Sequence, residues 1–138
     1  MIFKKYFADL ILLLGTNPRH EATMVNARIK KAHKLNKTPI YSVGKPGDLT
    51  YNYEILGDSS QDIKNLINGK NDFSKKFLSS KKPLVIIGES LLEIPSGQFI
   101  FEEMKEFLMN NNFINENWNA LNILLQNASS VGCIDLNL

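Results

Sequence analysis

Ala8-Asp9-Leu10-Ile11-Leu12-Leu13-Leu14-Gly15-Thr16-Asn17-Pro18-Arg19-His20-Glu21, running on to Ala32, decides the fold of this 138-residue chain. Leu10 to Leu14 is an unbroken apolar run between Asp9 and Gly15. Strands covered on both faces have this composition, and parallel sheets are covered on both faces. Asn17-Pro18 then supplies a helix start, with Asn as the cap and Pro at the first helical position. Glu21 falls in the first turn, where its charge suits the positive end of the helix dipole. Ala22, Val25, Ile29 and Ala32 follow at three- and four-residue steps, so one helix running to Ala32 would lay an apolar stripe against the sheet. In an open α/β sheet, the turn after such a strand is where ligands dock.

The rest of the chain repeats that grammar. Pro39 to Val43 is a second short strand, closed by the Gly44-Lys45-Pro46-Gly47-Asp48 turn. Leu49 to Leu56 is rich in aromatic and branched residues, and reads as a third strand or as an extended loop ending in one. Ser59-Ser60-Gln61-Asp62 has capping-box spacing, so a helix follows through Ile63, Leu66 and Ile67 and stops at Gly69. Asp72 can cap another short helix carrying Phe73 and Phe77 one turn apart. Leu84-Val85-Ile86-Ile87-Gly88 is the clearest strand after the first. A helix is expected from Ser96 to Met109, carrying Ile100, Met104, Phe107 and Leu108. A last helix is expected from Asn115-Glu116-Asn117, carrying Trp118, Leu121, Leu125 and Ala128. Alternating strands and helices define a three-layer α/β/α fold with a mainly parallel, Rossmann-like sheet. Residues 1–138 read as one domain, and a central strand so close to Met1 suggests an incomplete piece of a larger one.

Composition narrows the function. Hydrophobic residues at 43% and charged residues at 22% are ordinary for a soluble globular protein. A formal net charge of +2, with Arg19 and Arg28 as the only arginines, supplies no nucleic-acid reader. No apolar run reaches the ~20 residues of a membrane span, so no direct membrane insertion is expected. Met1 to Phe7 runs into Leu10 to Leu14 and Gly15-Thr16-Asn17-Pro18 without the small-residue site of a signal peptide. Cys133, the single cysteine, excludes an intramolecular disulfide and any iron–sulfur cluster held by this chain alone.

Catalytic constellations are equally sparse. The dinucleotide fingerprint needs three glycines between strand and helix, whereas Gly15-Thr16-Asn17-Pro18 has one, and Pro18 removes an amide donor. Gly44-Lys45 lacks the spacing of a phosphate loop. His20 and His33 are more than three helical turns apart with no partner at ligand spacing, so no metal site is expected. Ser90 lacks the Gly-x-Ser-x-Gly elbow of a hydrolase nucleophile. Cys133 has no base nearby and reads as apolar filler. Tyr51, Tyr53 and Trp118 read as core packing.

One resemblance runs through nearly the whole chain. Gly15-Thr16-Asn17-Pro18-Arg19-His20-Glu21-Ala22 and Asn26-Ala27-Arg28-Ile29 resemble the largest peripheral-arm iron–sulfur subunit of respiratory NADH:quinone oxidoreductase, complex I. The likeness continues through Asp48 to Tyr53, Leu56 to Ser59, Lys81 to Gly88, Trp118 to Leu124 and Ala128 to Gly132. It places the chain within that subunit's molybdopterin-oxidoreductase-like domain. In the wider superfamily the turns matching Gly15, Thr16 and Asn17, and Gly57 and Asp58, lie near the pterin cofactor. Arg19 and Glu21 match the complex I branch, where the domain carries no molybdenum cofactor and acts as a scaffold. The resemblance therefore implies vestigial pterin turns, no catalytic residue and no cofactor in this chain. The iron–sulfur clusters belong to amino-terminal modules without counterpart here. It implies partners among the other peripheral-arm subunits and the missing parts of its own subunit. It also implies a peripheral place on the cytoplasmic side of a bacterial inner membrane or the matrix side of a mitochondrial one. The competing reading is a small-molecule-binding α/β domain: a residual molybdopterin or nucleotide site at the Gly15 and Gly57 turns, or a piece like the central domain of thiamine-diphosphate enzymes.

Overall fold

A computed structural model describes residues 8–126. Cys133 and Ala128 lie outside the described residues. The elements in order are β1 (Leu10–Leu14), α1 (Pro18–Glu21), α2 (Thr23–Asn36), β2 (Ile40–Val43), β3 (Glu54–Gly57), α3 (Ser60–Ile67), α4 (Asp72–Ser79), β4 (Pro83–Gly88), α5 (Glu89–Glu93), α6 (Gly97–Asn110) and β5 (Leu121–Leu124).

The five strands form one sheet in the order β3-β2-β1-β4-β5, and every neighbouring pair is parallel. Leu10 to Leu14 pair with Pro83 to Ile87 on one side. Ile11 to Leu14 pair with Ile40 to Val43 on the other. Burial follows position: every residue of β1, β2 and β4 is buried, while β3 and β5 at the two edges are only partly covered. An unbroken apolar run is what a strand sandwiched between two layers requires.

Crossover handedness assigns the layers. The chain steps from β1 to β2 to β3 in one direction, then returns past β1 to β4 and β5. Parallel connections are right-handed in nearly all proteins, so α2 covers one face while α3, α4 and α6 cover the other. The packing agrees, since α3 lies against α4 and α6, and α5 against α6. On that second face the Tyr41 ring packs tilted against Phe73 with ring centroids 4.5 Å apart. Phe77, fully buried, meets Phe107 at 5.9 Å and Phe113 edge-on at 5.5 Å. On the first face the connection from β2 to β3 has no helix. Leu49 fills that space instead, fully buried, with its carbonyl accepting from Asn26 Nδ2 at 3.1 Å.

Several sequence expectations change. The helix expected to run from Pro18 to Ala32 breaks at Ala22, whose φ of −155° and ψ of 84° are extended. The short α1 is held at the sheet's carboxyl edge by side-chain bonds from Arg19 and Glu21, while α2 must run back along the sheet. Of Leu49 to Leu56, only Glu54 onward is strand, which matches the extended-loop version of that reading. Asp72 begins α4 and Asn71 holds the cap position, without a side-chain cap bond. The capping box at Ser59 is present: the Asp62 carboxylate accepts from the Ser59 amide at 3.1 Å and from its hydroxyl at 2.7 Å.

The largest correction is the last helix. Residues 121–124 are β5, paired in parallel with Val85 to Gly88. Two asparagines explain the change. Asn115 Oδ1 accepts from the amides of Asn117 and Trp118, both at 2.9 Å, and Asn119 Oδ1 accepts from the Leu121 amide at 3.0 Å. Side-chain bonds of this kind offer the backbone a turn in place of a helix. Trp118 Nε1 then donates to the Pro83 carbonyl at 2.8 Å and anchors the segment beside β4.

Candidate functional site

In a parallel sheet all the turns that follow the strands gather at one edge. Where the strand order reverses, between β1 and β4, the helices on the two sides diverge and leave a crevice. Here that crevice is a cavity of about 270 Å³ lined by Gly15, Thr16, Asn17, Glu21, Lys45, Pro46 and Ser90.

Backbone chemistry fixes the turn after β1. Gly15 sits at φ +57°, a left-handed conformation that glycine adopts without steric cost. Gly88, at the end of β4, allows the two turns to touch. A Cβ there would lie 2.3 Å from the Gly15 carbonyl oxygen and 2.8 Å from Thr16 Cβ.

The side-chain donors of Thr16, Asn17 and Ser90 at the crevice are then taken up within the fold. The Thr16 hydroxyl donates to the Glu21 carboxylate. Asn17 Nδ2 donates to the Pro46 carbonyl at 2.7 Å, and its Oδ1 accepts from the His20 amide at 3.3 Å. The Ser90 hydroxyl donates to the Gly15 carbonyl at 2.7 Å. No buried side-chain nitrogen or oxygen among the described residues lacks a partner.

Gly57 and Asp58 do not line the cavity but adjoin it through the turn after β2. The Gly57 carbonyl accepts from the Gly44 amide at 2.7 Å, and Asp58 faces Lys45 at 3.5 Å, both ends well exposed. That same turn is tied to α1: Arg19 Nη1 reaches Asp48 Oδ2 at 2.8 Å and the Asp48 carbonyl at 3.0 Å. The Thr50 amide, then the Arg19 guanidinium, hold the Asp48 carboxyl below its usual 3.8. The Ser59 hydroxyl, then the Ser59 amide, do the same for Asp62. For an acid with a lowered folded-state pKa, the stabilisation is present above pH 4 and fades as pH falls through the lowered value.

The structure thus brings Gly15, Thr16 and Asn17 together and sets Gly57 and Asp58 one turn away. Sequence reasoning missed Glu21, Lys45, Pro46 and Ser90 as crevice residues. Their signal was positional, because each follows a strand or opens a helix at the shared carboxyl edge. His20 and His33 stay apart: the His20 amide donates to the Asn17 side chain that caps α1, while His33 Nδ1 lies 2.9 Å from the Thr38 carbonyl. Among the described residues no three His, Cys, Asp or Glu side chains gather closely enough to hold a metal.

A doubly wound parallel sheet with its crevice at the strand-order reversal defines a Rossmann-like α/β architecture. Within that class, the chain belongs to the molybdopterin oxidoreductase family, whose model matches residues 5–138. It is 42% identical over 131 residues to the NADH-ubiquinone oxidoreductase 75 kDa subunit of Reclinomonas americana, a match covering 95% of this chain and 19% of that protein. It is 37% identical over 131 residues to the mitochondrial NADH dehydrogenase [ubiquinone] iron-sulfur protein 1 of Solanum tuberosum, over 95% of this chain and 18% of that one. The 78 kDa subunit of Neurospora crassa is 38% identical over 131 residues, covering 94% and 17% respectively. The chain therefore spans about a fifth of the length of these curated relatives. Among the described residues no helix is long and apolar enough to cross a membrane.

Proposed function

We propose that this chain is a non-catalytic scaffold portion of the large iron–sulfur subunit of an NADH:quinone oxidoreductase. The observation that carries the reading is the self-satisfied crevice. A pterin dinucleotide needs backbone amides and side-chain donors turned toward its phosphates. Here Thr16, Asn17 and Ser90 direct their donors at Glu21, Pro46 and Gly15, and Pro18 has no amide hydrogen to offer. At about 270 Å³ the cavity also falls below the roughly 300–1,000 Å³ of ordinary small-molecule sites. The residues present do not fit the family's cofactor, so no reaction step runs through it.

In this reading the iron–sulfur clusters and electron transfer belong to other modules of the subunit. This chain binds no metal or cofactor, and its sheet supports the packing of other peripheral-arm subunits on the matrix or cytoplasmic side of the membrane. Two measurements test it. Thermal-shift assays of the full chain with molybdopterin guanine dinucleotide, NADH, GTP and thiamine diphosphate should leave the unfolding midpoint unchanged. A ligand present at 100 times its Kd would add about 2.7 kcal/mol, so a rise of several degrees with any of them would sink the scaffold reading. Mixing with the purified peripheral-arm subunits should give a complex that survives gel filtration, and a chain that elutes alone would count against assembly.

A further inference from the structure

A second cleft, away from the crevice, is built from charge. Lys30, His33, Lys34 and Lys37 stand at positions i, i+3, i+4 and i+7 of α2 and its cap, so they share one flank of the helix. With Thr50, Tyr51 and Asn52 they line a space of about 350 Å³ beside the segment that leads into β3. The floor is fixed: Tyr51 donates its hydroxyl proton to Asn26 Oδ1 at 2.7 Å, and Asn26 in turn holds the Leu49 carbonyl. Among the described residues no carboxylate lines the cleft. Two acids flank the lining segment in sequence: Asp48, bound to Arg19 and to the Thr50 amide and near enough to feel the charge of Lys30, and the exposed Glu54.

The charge is concentrated well beyond the cleft. From residue 22 to residue 47 there is no acid, and there are six cations: Arg28, Lys30, Lys31, Lys34, Lys37 and Lys45. The opposite layer is the reverse: residues 89–116 hold six glutamates and Lys105 as the single cation. Helix-dipole compensation accounts for one or two lysines in the last turn of α2. It does not account for a stripe two turns long with an open space in front of it.

Apolar side chains sit beside these cations. Leu35 is 67% exposed, directly after Lys34, and Met24 is 70% exposed on the same outer line of the helix three turns earlier. A phosphate or free nucleotide would cover the lysines and leave both side chains in water. A polypeptide surface carrying carboxylates and apolar groups together would cover all of them, with the charges setting orientation and the apolar contacts adding affinity. The chain's own terminal segments do not supply the acids: residues 1–7 have two lysines and no acid, and residues 127–138 have Asp135 alone.

We propose that the α2 flank and its cleft dock an acidic, partly apolar segment of another polypeptide. The inference stands apart from the scaffold reading, because it concerns a different face and needs no particular complex. The test is a heteronuclear NMR titration of the full chain with four probes: a glutamate- and leucine-rich helical peptide, inorganic phosphate, a single-stranded oligonucleotide, and vesicles containing phosphatidylserine. The peptide should shift the amides of Lys30, His33, Lys34, Lys37 and Thr50 to Asn52. Its affinity should fall at least about tenfold in K34E/K37E and several-fold in L35S, with K34R/K37R close to wild type. All three of these variants change exposed residues, so their folds should persist. The proposal is overturned if the peptide shifts nothing at low salt, or if L35S binds it as wild type does. It is equally overturned if phosphate, oligonucleotide or vesicles shift the same amides with higher affinity, or if the shifts arise from self-association without any probe.

Discussion

Two cavities of similar size, about 270 Å³ at the β1–β4 crevice and about 350 Å³ along α2, use polar side chains in opposite ways. At the crevice the side-chain donors of Thr16, Asn17 and Ser90 are taken by Glu21, the Pro46 carbonyl and the Gly15 carbonyl, and the turns of β1, β2 and β4 are tied together. Along α2, three lysines face an open space with no carboxylate among the described residues that line it. A concave polar site is therefore not by itself a ligand site. What matters is whether its hydrogen-bonding capacity is already used.

The comparison breaks first at its tightest point. Gly88→Ala would press a Cβ against the Gly15 carbonyl and should cost about 3 kcal/mol, read as a lower urea midpoint at unchanged slope. A near-neutral result would mean that the two turns are looser than a locked crevice requires. Next comes the floor of the basic cleft. Asn26→Leu removes the partner of both Tyr51 and the Leu49 carbonyl, and should cost about 2 kcal/mol.

Tyr51 gives a pH test of the same floor. Burial pushes its phenol well above the usual 10. Below pH 10 the phenol is protonated in both states and the stability is fully present. Above pH 10 the unfolded chain loses the proton first, so stability should fall, by at most about 1.4 kcal/mol per pH unit. Tyr51→Phe should flatten that alkaline slope, and an unchanged slope would exclude Tyr51 as its source. Loosening the crevice should cost less: Ser90→Ala deletes one exposed bond to the Gly15 carbonyl, worth about 1 kcal/mol by thermal unfolding. The smallest effect belongs to the open cleft, where Lys34→Glu should change stability by no more than about 0.5 kcal/mol, since Lys34 is exposed and forms no ion pair among the described residues.

Much of this was legible in the sequence for a simple reason. Leu10 to Leu14 and Leu84 to Gly88 are central strands, where two-sided burial writes itself as uninterrupted apolar residues, and Pro39 to Val43 departs from that only at the buried Ser42. The edge strands are written more faintly. Glu54 to Gly57 and Leu121 to Leu124 are half covered, and the second happens to continue the helical spacing of Trp118 and Leu125. What made it a strand was Asn115 and Asn119 bonding to nearby amides, a local competition that apolar spacing does not record. The break at Ala22 was hidden likewise, because Glu21 and Arg19 are drawn away by Thr16 and Asp48, distant in sequence or in the turn itself.

For the candidate site, Gly15, Thr16 and Asn17 were readable from the strand–turn–helix pattern. Glu21, Lys45, Pro46 and Ser90 were not, since they meet only once strand order is known. The basic cleft was half visible. The lysines of α2 stood out as positive charge at a helix end, but the loop opposite them did not.

Trp118 gives the molecule a fluorescent label of its own. It is the chain's only indole, 7% exposed, and bonded to the start of β4 where the fifth strand joins the sheet. Its emission should therefore report the closing of that one seam, while far-ultraviolet dichroism follows the helices. Recorded together during refolding, the two signals would show whether the fifth strand closes in step with the rest or as a separate, slower event.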